Sequence, residues 1–303
     1  MKCLVTGGAG FIGSNLVDQL VKLNHQVIVL DNLSTGSLSN LNHVNKKIKF
    51  FNVDISRDKA SIQKYFNKVD QVFHMAGLAD MHSSILNPNK YYQTNVTGTL
   101  NVLEASKKAK AKKFIYAASS SCYGVPEKYP TDENCKINPQ FPYALTKFFG
   151  EQLVIYWAKI YSMHNVSLRF FNVYGPRSSL KKNAYSSVFS VFLNQKRAEK
   201  SLTIVGDGNQ TRDFIHVYDL TKAIIKASEK GKHGEVYNVG SGQETKINSI
   251  ANLIGGKKLS IPKRPGETHR SLADISKIKK QLNWKPTITI AEGIKMLLKK
   301  TTK

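Results

Sequence analysis

The chain predicts an α/β fold built on a doubly wound parallel sheet, with a smaller C-terminal α/β lobe. Three observations support this. Short apolar runs alternate with helical patterns up to about Arg169. The first run meets a glycine-rich turn, Thr6-Gly7-Gly8-Ala9-Gly10-Phe11-Ile12-Gly13, and the second ends in Asp31. Alternating strands and helices give a parallel sheet covered on both faces. A glycine turn after the first strand and an acid after the second are the marks of a Rossmann sheet.

The elements follow in order. Lys2–Thr6 reads as a short buried strand, and a helix runs from about Ser14 to Leu23. Val27–Leu30, Lys49–Val53 and Gln71–His74 are further apolar runs of strand length. Residues 89–109 carry helical periodicity, and Phe114–Ala118 is a fifth strand. Pro142 sits well at the start of a helix reaching about Tyr161, because its missing N–H costs nothing there. Val166–Arg169 is a sixth strand, and beyond Pro176 the pattern loosens. The expected division is a cofactor-binding domain over 1–172, with 213–239 returning to it, and a substrate lobe over 173–303.

Composition narrows the class. A chain of 303 residues with 41% hydrophobic content can bury a sizeable core. No apolar run approaches the ~18 residues of a membrane span. The N-terminus runs straight into a strand, leaving no room for a signal peptide. Cys3, Cys122 and Cys135 lack metal spacing, which suits free thiols in a reducing cytoplasm. The net charge of +24 raises the question of a polyanionic partner. The lysines are scattered, and the densest run, 107–113, falls where a helix should end and cations suit its dipole. No nucleic-acid motif accompanies them, so a solvated lysine surface is the better reading. A positive field would also attract a small anionic substrate.

Gly7, Gly10 and Gly13 have Gly-x-x-Gly-x-x-Gly spacing between strand and helix. Glycine lets backbone approach a pyrophosphate, and the N–H groups of Phe11 and Ile12 open a helix whose positive end favours phosphate. Asp31 lies 18 residues past Gly13, where a carboxylate can accept both hydroxyls of an adenosine ribose. It would repel a 2′-phosphate, and no Arg or Lys occurs in 31–40. NAD is therefore favoured over NADP. Asn32 adjoins this acid, and Asp54-Ile55 ends the third strand where an adenine edge would lie.

Tyr143 and Lys147 stand four residues apart, one turn along a helix face. A neighbouring ammonium lowers a phenol's pKa and lets it exchange protons with a hydroxyl. The Ser119-Ser120-Ser121 cluster lies upstream. His74 ends an apolar strand and reads as a satisfied core histidine. Cys122 reads as a buried, inert thiol.

These motifs resemble the extended short-chain dehydrogenase/reductase family, in its NAD-dependent nucleotide-sugar epimerase/dehydratase branch. Within that branch they are most similar to the UDP-glucose and UDP-N-acetylglucosamine 4-epimerases. Beyond the glycine turn, the likeness includes His74 to Leu78, Asn95 to Thr99, Ala118 to Gly124, Tyr143-x-x-x-Lys147, Arg169 to Pro176, Gln210 to Val217, Asn238 to Gly242 and Arg264 to Glu267. Eight blocks in the family's order cover nearly the whole chain. The resemblance implies that Tyr143 is the catalytic base and that Lys147 binds the nicotinamide ribose and depresses the tyrosine pKa. It implies that Ser119 holds the reacting hydroxyl, with Ser121 nearby. Ala76 and Asn95 would lie beside the cofactor. Asn172, Arg212 and Arg264 would meet the substrate diphosphate, and Glu267 its ribose.

The resemblance also implies C4 oxidation of a UDP-linked sugar as the first step. Dehydratases of the branch follow Ser/Thr with an Asp-Glu pair, and decarboxylases carry a Glu there. Here Ser120 and Ser121 stand in those places, which argues for epimerisation. The alternatives are a 4,6-dehydratase, a 4-keto reductase, or a non-catalytic NAD-binding regulator. Ser271 occupies the place where a small side chain goes with 2-N-acetyl sugars. Ala79 departs from the Lys that some hexose epimerases carry. A homodimer through the helices at 95–109 and from Pro142 is expected, with a role in surface polysaccharide synthesis.

Overall fold

The central sheet of the computed structural model has seven strands, all parallel. The structure describes residues 1–57, 59–178, 187–262 and 269–301. Its strands are β1 (Lys2–Thr6), β2 (Gln26–Asp31), β3 (Ile48–Asn52), β4 (Gln71–His74), β5 (Lys113–Ser119) and β6 (Asn165–Phe170). There follow β7 (Asn172–Tyr174), β8 (Leu202–Val205), β9 (Thr211–His216), β10 (Val236–Val239), β11 (Glu244–Lys246) and β12 (Lys258–Ile261). The helices are α1 (Phe11–Lys22), α2 (Lys59–Gln63), α3 (Met81–Leu86), α4 (Pro88–Tyr92), α5 (Gly98–Lys108) and α6 (Pro142–Tyr161). They continue with α7 (Val188–Arg197), α8 (Val217–Lys230), α9 (Ile247–Ile254), α10 (Ser276–Leu282) and α11 (Ile290–Thr301).

The sheet order is β3-β2-β1-β4-β5-β6-β10. The winding reverses between β1 and β4, so a crevice opens beyond their C-terminal ends, where such folds bind nucleotides. Successive strand residues point to opposite faces. Cys3 and Val5 therefore join α1 and α8 on one side, through Leu16, Leu20, Ile224 and Ala227. Leu4 joins α5 and α6 on the other, through Val102, Leu103, Val154 and Trp157.

Two readings from the sequence are revised. The helix of 89–109 is broken by a π-helical turn over Gln93–Thr97. Thr99 Oγ1 donates to the Asn95 carbonyl at 2.6 Å and satisfies it inside the altered turn. Such turns cluster at functional sites. The first helix begins at Phe11 rather than Ser14, because Gly10 caps it with extended backbone. The strand β10, too short to stand out in the sequence, closes the sheet against β6.

The second lobe holds a three-stranded sheet, β11-β9-β7, and the pair β12-β8. Phe189, Phe192, Ile250, Ile254 and Ile294 fill its core. Among the described residues no helix is long and apolar enough to cross a membrane.

One buried ion pair fixes α6 to the sheet. Arg169 of β6 donates from Nε and Nη2 to Glu151 at 2.9 and 2.7 Å. The same guanidinium reaches Tyr123 Oη at 2.8 Å, and Tyr123 donates to Asn238 of β10 at 2.7 Å. Glu151→Gln would leave the Arg169 charge buried without its counterion. Urea unfolding should show a loss of about 3–5 kcal/mol, the usual cost of orphaning one buried partner.

Candidate active site

The glycine turn occupies the crevice. Gly7 N–H donates to Leu30 O at 2.8 Å, and Gly7 has φ +68. A Cβ at Gly7 would lie 2.7 Å from the Ala76 backbone, and one at Gly13 would lie 2.1 Å from Gly7 O. Only hydrogen fits at either place, so the turn folds tightly between β1 and β4. Gly10 caps α1 without a side-chain hydrogen bond. The first-turn N–H groups, Phe11 and Ile12 among them, have no partner within the helix. That is the donor set of an anion cradle.

Asp31 sits at the rim, 8% exposed. Its carboxylate accepts from Ala9 N–H at 2.9 Å and Leu33 N–H at 2.8 Å. Burial pushes its carboxyl up, and these two bonds oppose the rise. Two acceptors used leave lone pairs for further donors. Asn32 Nδ2 donates to Asp54 Oδ2 at 3.2 Å, joining the loops after β2 and β3. Burial pushes the Asp54 carboxyl up, but hydrogen bonds from Ser56 and Asn32 and the Arg57 charge hold it low. Ile55 is buried and packs beneath Gly98.

Tyr143 lies in the first turn of α6 and donates from Oη to Ser119 Oγ, at the end of β5, at 3.0 Å. Ser119 Oγ lies 2.8 Å from Ser121 Oγ and accepts the Ser121 N–H at 3.2 Å. One turn along α6, Lys147 is 7% exposed, with Nζ 4.4 Å from the Tyr116 ring centroid. A Cβ at Gly77 would come within 3.4 Å of that nitrogen.

The expected sign of the tyrosine shift is reversed. Burial pushes the Tyr143 phenol up, against hydrogen bonding to Ser119 and Ser121. Desolvation of the phenolate outweighs the two serine hydrogen bonds, and Lys147 Nζ is turned toward the Tyr116 ring. Burial also draws Lys147 down to about 7, while the Glu151 carboxylate partly restores it.

Behind the site runs a fully buried polar chain. Ala76 N–H donates to Thr6 Oγ1 at 3.3 Å, and Thr6 Oγ1 lies 2.6 Å from His74 Nδ1. His74 Nε2 lies 2.9 Å from Thr99 Oγ1. Thr99 spends its hydrogen on Asn95 O, so His74 donates through Nε2 and accepts at Nδ1. Burial lowers its pKa to about 3 and keeps it neutral, the satisfied core histidine expected. Asn95 closes the chain. It accepts Leu78 N–H at 2.8 Å and donates to Leu78 O and Thr146 Oγ1, each at 3.1 Å. Cys122 is buried and its thiol is pushed up to about 12 by burial, which suits an inert group.

In the second lobe, Asn172 Nδ2 donates to Asp213 O at 3.2 Å, and Arg212 Nη1 to Thr211 O at 2.9 Å. Both residues lie in the β11-β9-β7 sheet. Ser271 is half-buried on a strap. The strap bonds Thr211 through His269 O at 3.0 Å and Thr131 through Leu272 O at 2.8 Å. Arg264 and Glu267 lie outside the described residues. Asp213 was not singled out from the sequence, yet it organises this region. Its carboxylate accepts from Ser241 N–H and Oγ, both at 2.6 Å, from Gly242 N–H at 2.9 Å and from Ala273 N–H at 3.1 Å. Its one legible sign was an acid at the edge of an apolar strand run.

A dinucleotide cradle facing a phenol, a serine and a lysine defines an enzyme that pairs proton transfer with nicotinamide chemistry. The chain belongs to the NAD dependent epimerase/dehydratase family, whose model matches residues 3–240. It is 34% identical to a UDP-glucose 4-epimerase of Mycolicibacterium smegmatis, over 97% of this chain and 96% of the relative. The structure of a Thermotoga maritima UDP-glucose 4-epimerase with UDP-glucose matches with TM-score 0.94 and 34% identity, covering 100% of both chains. A Methanobrevibacter ruminantium UDP-N-acetylglucosamine 4-epimerase, in complex with UDP-N-acetylmuramic acid, matches at TM-score 0.92 and 33% identity, over 99% of this chain and 98% of that one.

The Lys147 shift sets a pH dependence. Between about 7 and the ordinary lysine value the unfolded chain holds a proton that the folded chain does not. Stability therefore rises with pH across that window. Lys147→Met in the cofactor-stripped protein should flatten this slope and raise Tm at pH 7 by about 1–2 °C, corresponding to roughly 1 kcal/mol in a chain this size. Scanning calorimetry from pH 7 to 10 checks it, and turnover should be lost.

Proposed function

We propose that the protein is an NAD-dependent nucleotide-sugar 4-epimerase that inverts C4 of a UDP-hexose through a transient 4-keto sugar. One observation carries the reading: the 3.0 Å Tyr143–Ser119 hydrogen bond, followed by hydroxyls rather than carboxylates at 120 and 121. Elimination across C5–C6 needs an acid and a base, and serine hydroxyls are neither at neutral pH. The UDP-sugar names of the relatives support the substrate class.

The turn closed by Gly7 and Gly13 fits NAD, because neither position admits a Cβ and the turn leads into the N-terminus of α1. Held there, NAD would supply a reversible hydride acceptor for C4, able to return the hydride to the opposite face of the sugar. Gly7, Gly10, Phe11, Ile12 and Gly13 would hold the pyrophosphate. Asp31 and Asn32 would take the adenosine ribose, and Asp54 and Ile55 the adenine edge. Ala76 and Asn95 would line the nicotinamide side, and Lys147 would hold its ribose. Tyr143, once its buried phenol has lost its proton, would act as base toward the 4-hydroxyl while Ser119 holds the same oxygen. Asn172, Arg212 and Arg264 would bind the diphosphate, and Glu267 the uridine ribose. Arginine suits this task because its fork pairs two oxygens at once. Ser271, with its small side chain, leaves room for a 2-N-acetyl group, so UDP-GlcNAc/UDP-GalNAc and UDP-Glc/UDP-Gal are both substrates to test. In this scheme residues 1–172 and 213–239 serve the cofactor, and the remainder of 173–303 serves the sugar nucleotide.

We further propose a cytoplasmic homodimer feeding surface polysaccharide synthesis. The support for dimerisation is an apolar stripe on α6, where Leu145, Phe149, Tyr156 and Ile160 are 39%, 40%, 54% and 50% exposed. Beside it a concavity of about 460 Å³ lies between α4 and α6, lined by Pro88, Tyr92 and Phe141. Exposed stripes of this kind mark interfaces.

Incubation with UDP-Glc, UDP-GlcNAc and UDP-GlcA, without added cofactor, should yield a C4 epimer of at least one. Loss of water, or a strict need for NADPH, would sink the assignment. Tyr143→Phe should lower kcat by about 10²–10⁴-fold, the range for a positioned acid–base group. Phe149→Glu should halve the mass seen by light scattering, and an unchanged mass would exclude α6 from the interface.

A further inference from the structure

We propose that Ser121 is a positioning residue whose hydroxyl reverses direction as Tyr143 gains and loses its proton. The proposal rests on Tyr143 being the acid–base group. It deepens that reading by adding a third hydroxyl to the pair.

A serine hydroxyl has one hydrogen to give and two lone pairs to fill. At Ser119 both lone pairs are occupied when Tyr143 is a phenol. One takes the Tyr143 O–H at 3.0 Å and the other the Ser121 N–H at 3.2 Å. The Ser119 hydrogen then has one short contact left to satisfy, Ser121 Oγ at 2.8 Å. Direction is thereby set: Tyr143 donates to Ser119, and Ser119 to Ser121. Ser121 is held there by the backbone, because Ser119 caps the turn in which Ser121 lies.

Loss of the phenol proton removes one donor from Ser119 and creates an anion beside it. Ser119 turns its hydrogen to the phenolate. Its vacated lone pair then faces Ser121 Oγ, which turns to donate. The chain now runs from Ser121 to Ser119 to Tyr143, and two aligned O–H dipoles bear on one negative oxygen. Hydrogen bonds to an ionised acceptor are about twice as strong as neutral ones. Ser121 thus contributes more to the phenolate than to the phenol, and its hydroxyl lowers the midpoint of Tyr143. When a sugar enters, its 4-hydroxyl gives the phenolate its proton, and Ser119, still accepting from Ser121, turns its hydrogen from the phenolate to the sugar oxygen.

Other titratable groups around Tyr143 do not supply this effect. Cys122, in the turn after β5, and Tyr91, on α4, are each pushed up to about 12 by burial. Tyr116, on β5, is pushed higher still by burial. Lys147, on α6, is drawn down to about 7 by burial, so it has already lost its proton at the alkaline pH where a phenol titrates.

The test is an ultraviolet difference titration of the phenol, Tyr143→Phe serving as the blank. Ser121→Ala should raise the Tyr143 midpoint by about half to one unit, and Ser121→Thr, which keeps the hydroxyl, should restore it. With UDP-GlcNAc or UDP-Glc as substrate, Ser121→Ala should cut kcat about 3–10-fold at neutral pH and recover it at alkaline pH. An unmoved midpoint in Ser121→Ala overturns the proposal. So does a rise in KM at every pH with an unchanged kcat profile, which would make Ser121 a substrate contact only. The titration needs no substrate, so it stands apart from a failed epimerase assay.

Discussion

The position of the Tyr143 phenol depends on one buried carboxamide. Asn95 engages its oxygen and both amide hydrogens, two on the Leu78 backbone and one on Thr146 Oγ1. Thr146 in turn donates to the Tyr143 carbonyl at 3.0 Å. The loop leaving β4 and the first turn of α6 are therefore tied through a single side chain that is 1% exposed. Leaving any of its groups unpaired in that environment would cost about 1–3 kcal/mol. The geometry is thus strongly specified. The π-helical turn gives Asn95 its place, and the chain from Thr6 through His74 and Thr99 supports its carbonyl.

Charge along α6 is arranged in the opposite sense to stability. Lys147 is buried against an aromatic ring and made reluctant to carry its proton. One turn further, Glu151 is buried too, but Arg169 clamps it in two hydrogen bonds. Part of the Glu151 field therefore reaches Lys147 while the carboxylate itself stays fixed. A lysine poised this way is destabilising on its own, as functional groups often are. The ion pair is the structural counterweight on the same helix.

Local features were readable from the chain, and long-range ones were not. The glycine spacing, Asp31 and the Tyr143–Lys147 pair are set within a few residues, and their physics follows from spacing alone. The contact of Ser119 with Tyr143 spans 24 residues and was inferred from family likeness, since no periodicity encodes it. Asn95 and Thr146 are 51 apart, and nothing local shows that a π turn would aim one at the other. The sign of the tyrosine shift was misjudged for a related reason. Proximity to an ammonium can be read from sequence, but burial cannot, and burial dominates here. The strand β10 was missed because four residues give too short a pattern; only its pairing with β6 defines it.

The second lobe shows how one strand separates support from recognition. Arg212 and Asp213 are adjacent on β9, so their side chains leave opposite faces. Asp213 is fully buried and gathers four donors from the loops at 241–242 and 273. Arg212 is directed by the carbonyls of Thr211 and His269, at 2.9 and 3.4 Å. The strap that carries Ser271 is fixed by the same two residues, through His269 to Arg212 and through Ala273 to Asp213. The strap is therefore coupled mechanically to both the guanidinium of Arg212 and the carboxylate of Asp213. Under the proposed function, binding energy gained at a diphosphate, remote from C4, would then help to position the sugar ring against Tyr143 and Ser119.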